Sequence, residues 1–150
     1  MLIDVETALQ AASELLAPWA TEPAHPEPNR LDATMAAADL VAAVAALDDA
    51  RWGNLTAITG LDLEAAAVIE VLYHFCAGAA VVTLRVQTPR ADARVPSVCG
   101  VIPSATLFER ELSEMLGVKV AGTPNSDRLF LPDDWPDGVY PLRKDFRPAG

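Results

Sequence analysis

Cysteine is nearly absent from this chain: Cys76 and Cys99 stand alone, far apart and in no C-x-x-C spacing. Neither an iron–sulfur cluster nor a structural zinc site can be assembled from such a pair, and both read as ordinary buried thiols. The 8 glycines never fall in G-x-G-x-x-G or G-x-x-x-x-G-K spacing, so the backbone cradles of dinucleotide and P-loop sites are missing. With 2 histidines and no H-E-x-x-H or G-x-S-x-G, no hydrolytic machinery is recognisable. Basic residues are scarce as well, 11 Lys and Arg against 21 Asp and Glu, for a formal net charge of -10. An acidic surface gains nothing from a polyanion, so neither nucleic acid nor direct contact with anionic lipid is expected. The first residues, MLIDVETALQ, hold no basic stretch followed by an apolar one; no secretory signal is read there, and a cytoplasmic setting is expected.

What is present is apolar material, 51% of the chain, with only 6% aromatic. That suffices for one domain whose core is built from small side chains. DVETALQAASELLAP has Asp4 as helix cap and Val5, Ala8, Leu9, Ala12, Leu15 and Leu16 on one face. Pro18 ends that helix, and Pro23, Pro26 and Pro28 make residues 21–30 an extended, solvated connector carrying an exposed His25. RLDATM reads as a short strand, AADLVAAVAALDDA as a second helix with Leu40, Val41, Val44 and Leu47 inward, and NLTAITGLD as a strand ending in a turn at Gly60 and Asp62.

Residues 65–84, AAAVIEVLYHFCAGAAVVTL, approach the length of a membrane span. Their alternation argues otherwise. Ile69, Val71, Tyr73 and Phe75 share one face while Glu70 and His74 share the other, and Val82, Leu84 and Val86 alternate with Thr83, Arg85 and Gln87 beyond the small-residue turn. That pattern predicts a β-hairpin with His74 outward and no metal partner for it. RADARVPSVCGVIPS is read as an irregular crossing. In SATLFERELSEMLG, Ser104 is the expected cap of a third helix, Phe108, Leu112 and Met115 its apolar stripe, and Gly117 its end. The expected fold is α+β: a small, mostly antiparallel sheet with about three helices packed on it in residues 1–117, followed by an extended, irregular C-terminal segment, 118–150.

Two charged groups stand out. Glu109, Arg110, Glu111 and Glu114 lie on the third helix, where Arg110 and Glu114 are spaced to pair at i,i+4. Asp127, Arg128, Asp133, Asp134 and Asp137 precede the tail; a carboxylate metal site there, and with it a free-standing metal-dependent enzyme, is conceivable, but the spacing fits no calcium loop and suits turns and caps better. Past them, VYPLRKDFR concentrates Arg143, Lys144 and Arg147 on an otherwise acidic chain. Pro141 biases it toward extended backbone, as a tail that is solvated or lies against a surface.

LTAITGLD, VLYHF, VPSV, ERELSEMLGV and GTPNSDRLFLPDDWPDGVYPLRKDF, in that order over residues 54–147, resemble the 30-kDa subunit of NADH-quinone oxidoreductase, respiratory complex I, and the related subunits of energy-converting nickel–iron hydrogenases. The resemblance implies a cofactor-free, non-catalytic subunit of the peripheral arm, on the cytoplasmic side of the membrane and touching it only through the complex. Its partners would be the large catalytic subunit, with a quinone pocket or a nickel–iron site, and the iron–sulfur subunits. Glu109, Arg110, Glu111, Arg128, Tyr140, Pro141, Leu142, Arg143, Lys144, Asp145 and Phe146 would dock on them, Arg143 forking onto a partner carboxylate. An adaptor unconnected with redox work is the remaining alternative.

Overall fold

Two ten-residue strands, β3 (Val68–Ala77) and β4 (Ala80–Pro89), form the expected hairpin, with Gly78 at φ +59° in the turn. Their alternation sends Ile69, Val71, Tyr73, Phe75, Val82, Leu84 and Val86 to one face, where each is 0 or 1% exposed. No helix among the described residues is long and apolar enough to cross a membrane. The structure is a computed structural model that describes residues 3–149.

Strands β1 (Arg30–Met35) and β2 (Asn54–Leu63) complete a four-stranded sheet in the order β1-β4-β3-β2. β2, β3 and β4 run antiparallel, and β1 joins β4 in parallel. Helix α1 (Val5–Leu16), capped by the Asp4 carboxylate on the Thr7 N–H, buries Ala8, Leu9, Ala12 and Leu16. Helix α2 (Leu40–Asp49) adds Leu40, Ala43, Val44 and Leu47 to the same core, and Trp52 beyond it donates its Nε1–H to the Ala8 carbonyl at 2.8 Å. Helix α3 (Thr106–Leu116) lies against the inward face of β2.

Several local expectations change in three dimensions. β2 runs on through Gly60 and Asp62 to Leu63 instead of turning there. Gly60 is a packing position, since a Cβ on it would stand 2.1 Å from Leu116 Cδ1 and 2.9 Å from Leu112 Cδ1. The proline connector is tied down: Thr21 donates to the Thr34 carbonyl, and Ala24 and Asp32 exchange backbone hydrogen bonds along the open edge of β1. His25 is exposed, its Nδ1 against the Arg30 carbonyl.

The crossing after β4 contains a short strand, β5 (Arg94–Pro96), which pairs in parallel with β6 (Lys119–Ala121) past the end of α3. Ser104 does not cap α3, because a 3-10 turn over Pro103–Ala105 precedes the helix and takes up that position. The buried stripe of α3 is Glu109, Leu112 and Leu116, so Phe108 and Met115 are only half-buried at its margins.

Gly53 holds the entry to β2 at φ +59°, with the backbone oxygen of Cys76 2.2 Å from where a Cβ would be. Gly78 has the same φ and open space around it. Gly78→Ala should therefore cost only the left-handed strain, about 1 kcal/mol, whereas Gly53→Ala adds a clash with fixed backbone. The check is a clearly lower denaturation midpoint for Gly53→Ala than for Gly78→Ala at equal slope.

Candidate functional site

Helix α3 ends at Gly117, in the left-handed conformation at φ +71°, where a Cβ would strike the Tyr140 ring at 2.4 Å. The bare glycine lets that ring lie directly on the helix end. A helix leaves its last carbonyls without intrahelical partners, and here the tail supplies them. Leu142 N–H donates to Met115 O at 3.0 Å and Arg143 Nε–H to Leu116 O at 2.7 Å. The cationic guanidinium also suits the negative end of the helix dipole. Arg143 Nη1 reaches the Arg90 carbonyl at 3.2 Å, and its Cζ stands 5.2 Å from the centre of the Tyr140 ring.

A second anchor fixes the next residues. The Asp62 carboxylate, 4% exposed at an inward position of β2, is gripped bidentately by Arg90, Nε–H to Oδ1 at 2.7 Å and Nη2–H to Oδ2 at 2.9 Å. Lys144 N–H donates to the same Oδ2 at 2.9 Å, and Asp145 meets Arg90 Nη2 at 3.1 Å. The Arg90 hydrogen bonds, helped by the Lys144 N–H, hold the Asp62 pKa below the ordinary carboxylate value against the opposing pull of burial. Tyr140 to Phe146 are thus a run of turns, with Arg143 N–H to Tyr140 O and Phe146 N–H to Arg143 O, rather than a free extended strand.

The loop before the tail is pinned by the exposed side of α3. Arg110 does not pair with Glu114; its Nε–H and Nη2–H go to the carbonyls of Asp127 and Arg128, each at 2.9 Å. The Glu114 carboxylate takes the backbone N–H groups of Leu129, Phe130 and Leu131 at 2.9 to 3.0 Å. Burial pushes the Glu114 pKa up, yet these three donors outweigh it and leave the group below its ordinary value. Arg128 pairs with Asp137 and donates to the Pro132 carbonyl, and Trp135 donates to the Val139 carbonyl while its ring stands 6.0 Å from that of Phe146. Among the described residues no three His, Cys, Asp or Glu side chains converge into a metal-sized group.

Of the residues proposed from sequence for docking, Glu109 faces the interior at 2% exposure. It accepts from Val98 N–H, Ser97 Oγ–H and Cys99 S–H, which shapes the loop after β5. Burial, with that carboxylate alongside, pushes the Cys99 thiol up. Arg110, Arg128 and Arg143 are engaged within the chain, and Glu111, Tyr140, Pro141 and Phe146 are half-buried. Leu142, Lys144 and Asp145 are outward, as is Phe130 at 62% exposure. Sequence reasoning missed Asp62, Arg90 and Phe130. The only signal for Asp62 was a carboxylate continuing the inward alternation of Ile58 and Gly60.

A chain of the membrane-bound sulfane sulfur reductase, an archaeal respiratory membrane complex, superposes at a TM-score of 0.79 with 25% identity, covering 95% of this chain and 85% of the other. The model of the respiratory-chain NADH dehydrogenase, 30 Kd subunit, matches residues 33–150, and the chain belongs to that family. An NADH-quinone oxidoreductase subunit of Rhizobium rhizogenes is 36% identical over 127 residues, 81% of this chain and 62% of that protein. Formate hydrogenlyase subunit 5 of Escherichia coli is 47% identical over 64 residues, 43% of this chain and 11% of that protein. The chain thus spans less than two thirds of the length of either relative.

Because the folded Asp62 pKa is depressed, its stabilising contribution is complete above the ordinary carboxylate range and is lost as pH falls through the folded value. The tail should stay seated at neutral pH and loosen only in acid, below about pH 4. Asp62→Asn should release it at pH 7. The readout is faster tryptic cleavage after Arg143 and Lys144, with the rest of the domain still protected. Glu114→Ala, which strips the partner from three loop N–H groups, should instead speed amide exchange at residues 129–131 and leave the tail seated.

Proposed function

We propose that this chain is a non-catalytic accessory subunit of a complex-I-like, membrane-bound oxidoreductase, seated on the cytoplasmic side against the large catalytic and iron–sulfur subunits. Electron transfer belongs to those partners. The single observation that supports this reading most is the conjunction of family membership with a PLRKDF segment held by Asp62, Arg90 and the end of α3. A segment ordered in advance loses little further entropy on docking. Arg143 is occupied by carbonyls of its own chain, so its role is to position the segment, and the fork onto a partner carboxylate gives way to contacts through Leu142, Lys144 and Phe130.

The reading has two branches, an NADH:quinone enzyme and an energy-converting hydrogenase. The longer coverage of the Rhizobium relative favours the first, and the higher identity over a shorter stretch to the formate hydrogenlyase protein favours the second. Affinity capture of the tagged chain from native membranes separates them, since the captured assembly should carry iron–sulfur absorbance with either NADH:quinone or hydrogenase activity. The isolated chain should be colourless and inert with NADH. Leu142→Ala should weaken assembly by about 1 kcal/mol or more while leaving the melting temperature of the free chain unchanged. Capture of the chain without any redox-active companion would overturn the proposal.

A further inference from the structure

Among the described residues five large apolar side chains stand exposed, and three of them, Leu107, Phe130 and Leu142, are carried by helix α3 or by segments bound to it. Leu107, 52% exposed, lies on α3 itself; Arg110, Glu111 and Glu114 follow at i+3, i+4 and i+7, so the four share one helix face. Arg110 and Glu114 hold the loop 127–131 along that face, which sets Phe130 roughly two turns, about 10 Å, along the helix from Leu107. Leu142 follows at the C-terminal end, its N–H on Met115 O. The three make an interrupted apolar ridge on backbone fixed by hydrogen bonds.

Charge changes sign along this ridge. Glu111 is one turn from Leu107, and the Asp127 carbonyl lies on Arg110. Asp133 and Asp134 tip a turn whose Pro132 carbonyl takes both the Trp135 N–H and the Arg128 guanidinium, which folds that turn back beside the loop. These four carboxylates have no ion-pair or hydrogen-bond partner among the described residues. The cations beside them are occupied within the chain, Arg110 on two carbonyls and Arg128 on Pro132 O and Asp137. Beside Leu142 the balance reverses: Lys144 and Arg147 are exposed, while Asp145 is held by Arg90.

Resting on the accessory-subunit reading, we propose that this ridge docks into an apolar groove of a partner subunit that carries lysine or arginine where it meets Leu107 and Phe130, and a carboxylate where it meets Leu142 and Lys144. Apolar side chains held on a rigid support dock with little ordering cost. Opposite charges at the rim steer the approach, and their change of sign fixes its direction. A second copy of this chain suits the ridge poorly, because two bodies of net charge -10 would meet and four carboxylates on each would face two cations on the other.

The test sets a tagged variant of the full chain against untagged wild type in the same cells and reads the ratio of the two in the isolated membrane assembly, with tagged wild type as reference. Phe130→Ala and, separately, Asp133→Lys with Asp134→Lys should each lower incorporation about tenfold, and Lys144→Glu should lower it severalfold. Asp48→Lys with Asp49→Lys, the same charge change on the exposed end of α2, should leave it unchanged. All these positions are exposed, and equal melting temperatures of the free variants would show that the fold is kept. A photo-crosslinking side chain in place of Phe130 should mark a partner segment that contains lysine or arginine. The proposal is overturned by variants that enter as wild type does, by an equal effect of the Asp48 and Asp49 changes, or by a crosslink to a second copy or to an acidic segment. Variants at parity in an assembly with iron–sulfur absorbance overturn the ridge alone and leave the accessory-subunit reading standing. Wild type in an assembly without redox-active companions overturns both.

Discussion

A carboxylate placed at a core position of a strand is costly unless both oxygens find partners, and Asp62 is such a group. Its resolution organises one whole side of the molecule. Arg90, just past the end of β4, supplies a bidentate grip, Lys144 supplies a backbone donor from the far end of the chain, and Asp145 closes on Arg90 from outside. The end of β2, the exit of β4 and the C-terminal tail are thereby held at one point. Arg143 extends the junction to the end of α3, since the same guanidinium reaches the carbonyls of both Leu116 and Arg90. Removing the central pair would undo three attachments together.

Helix α3 shows the same economy in its polar residues. Irregular backbone has no ladder to satisfy its N–H and C=O groups, so side chains must do so. Glu109 serves the turn at Ser97–Cys99, Arg110 the carbonyls of Asp127 and Arg128, and Glu114 the donors of Leu129–Leu131. Glu109, Arg110 and Glu114 are therefore a set of loop clamps. Their consequence for recognition is rigidity: Phe130 and Leu142 stand outward, at 62% and 59% exposure, on segments fixed by hydrogen bonds to a packed helix. Exposed apolar side chains on a rigid support can anchor a partner with little further ordering.

The sequence by itself determined much of this protein. Helix and strand periods marked α1, α2, the hairpin and the body of α3, because those signals lie in neighbours two to four residues apart. The Pro and Gly punctuation marked the irregular C-terminal segment, and the ordered motifs from LTAITGLD to PLRKDF pointed to the family that comparison then established. What only the tertiary structure decided was where the charges go. Asp62 was read as a turn residue because nothing within a few positions reveals Arg90 or Lys144, which are brought to it across 28 and 82 residues. Arg110 and Glu114 have the spacing of a local ion pair, but the folded loop offers each of them backbone groups that would otherwise go unsatisfied, and those prevail. The tail's seat on its own domain is not legible locally, because that resting place, a bare glycine and the carbonyls of a helix end, exists only once α3 is packed on β2. Local periodicity is written in adjacent residues, whereas the partners of a polar group are chosen by the whole fold.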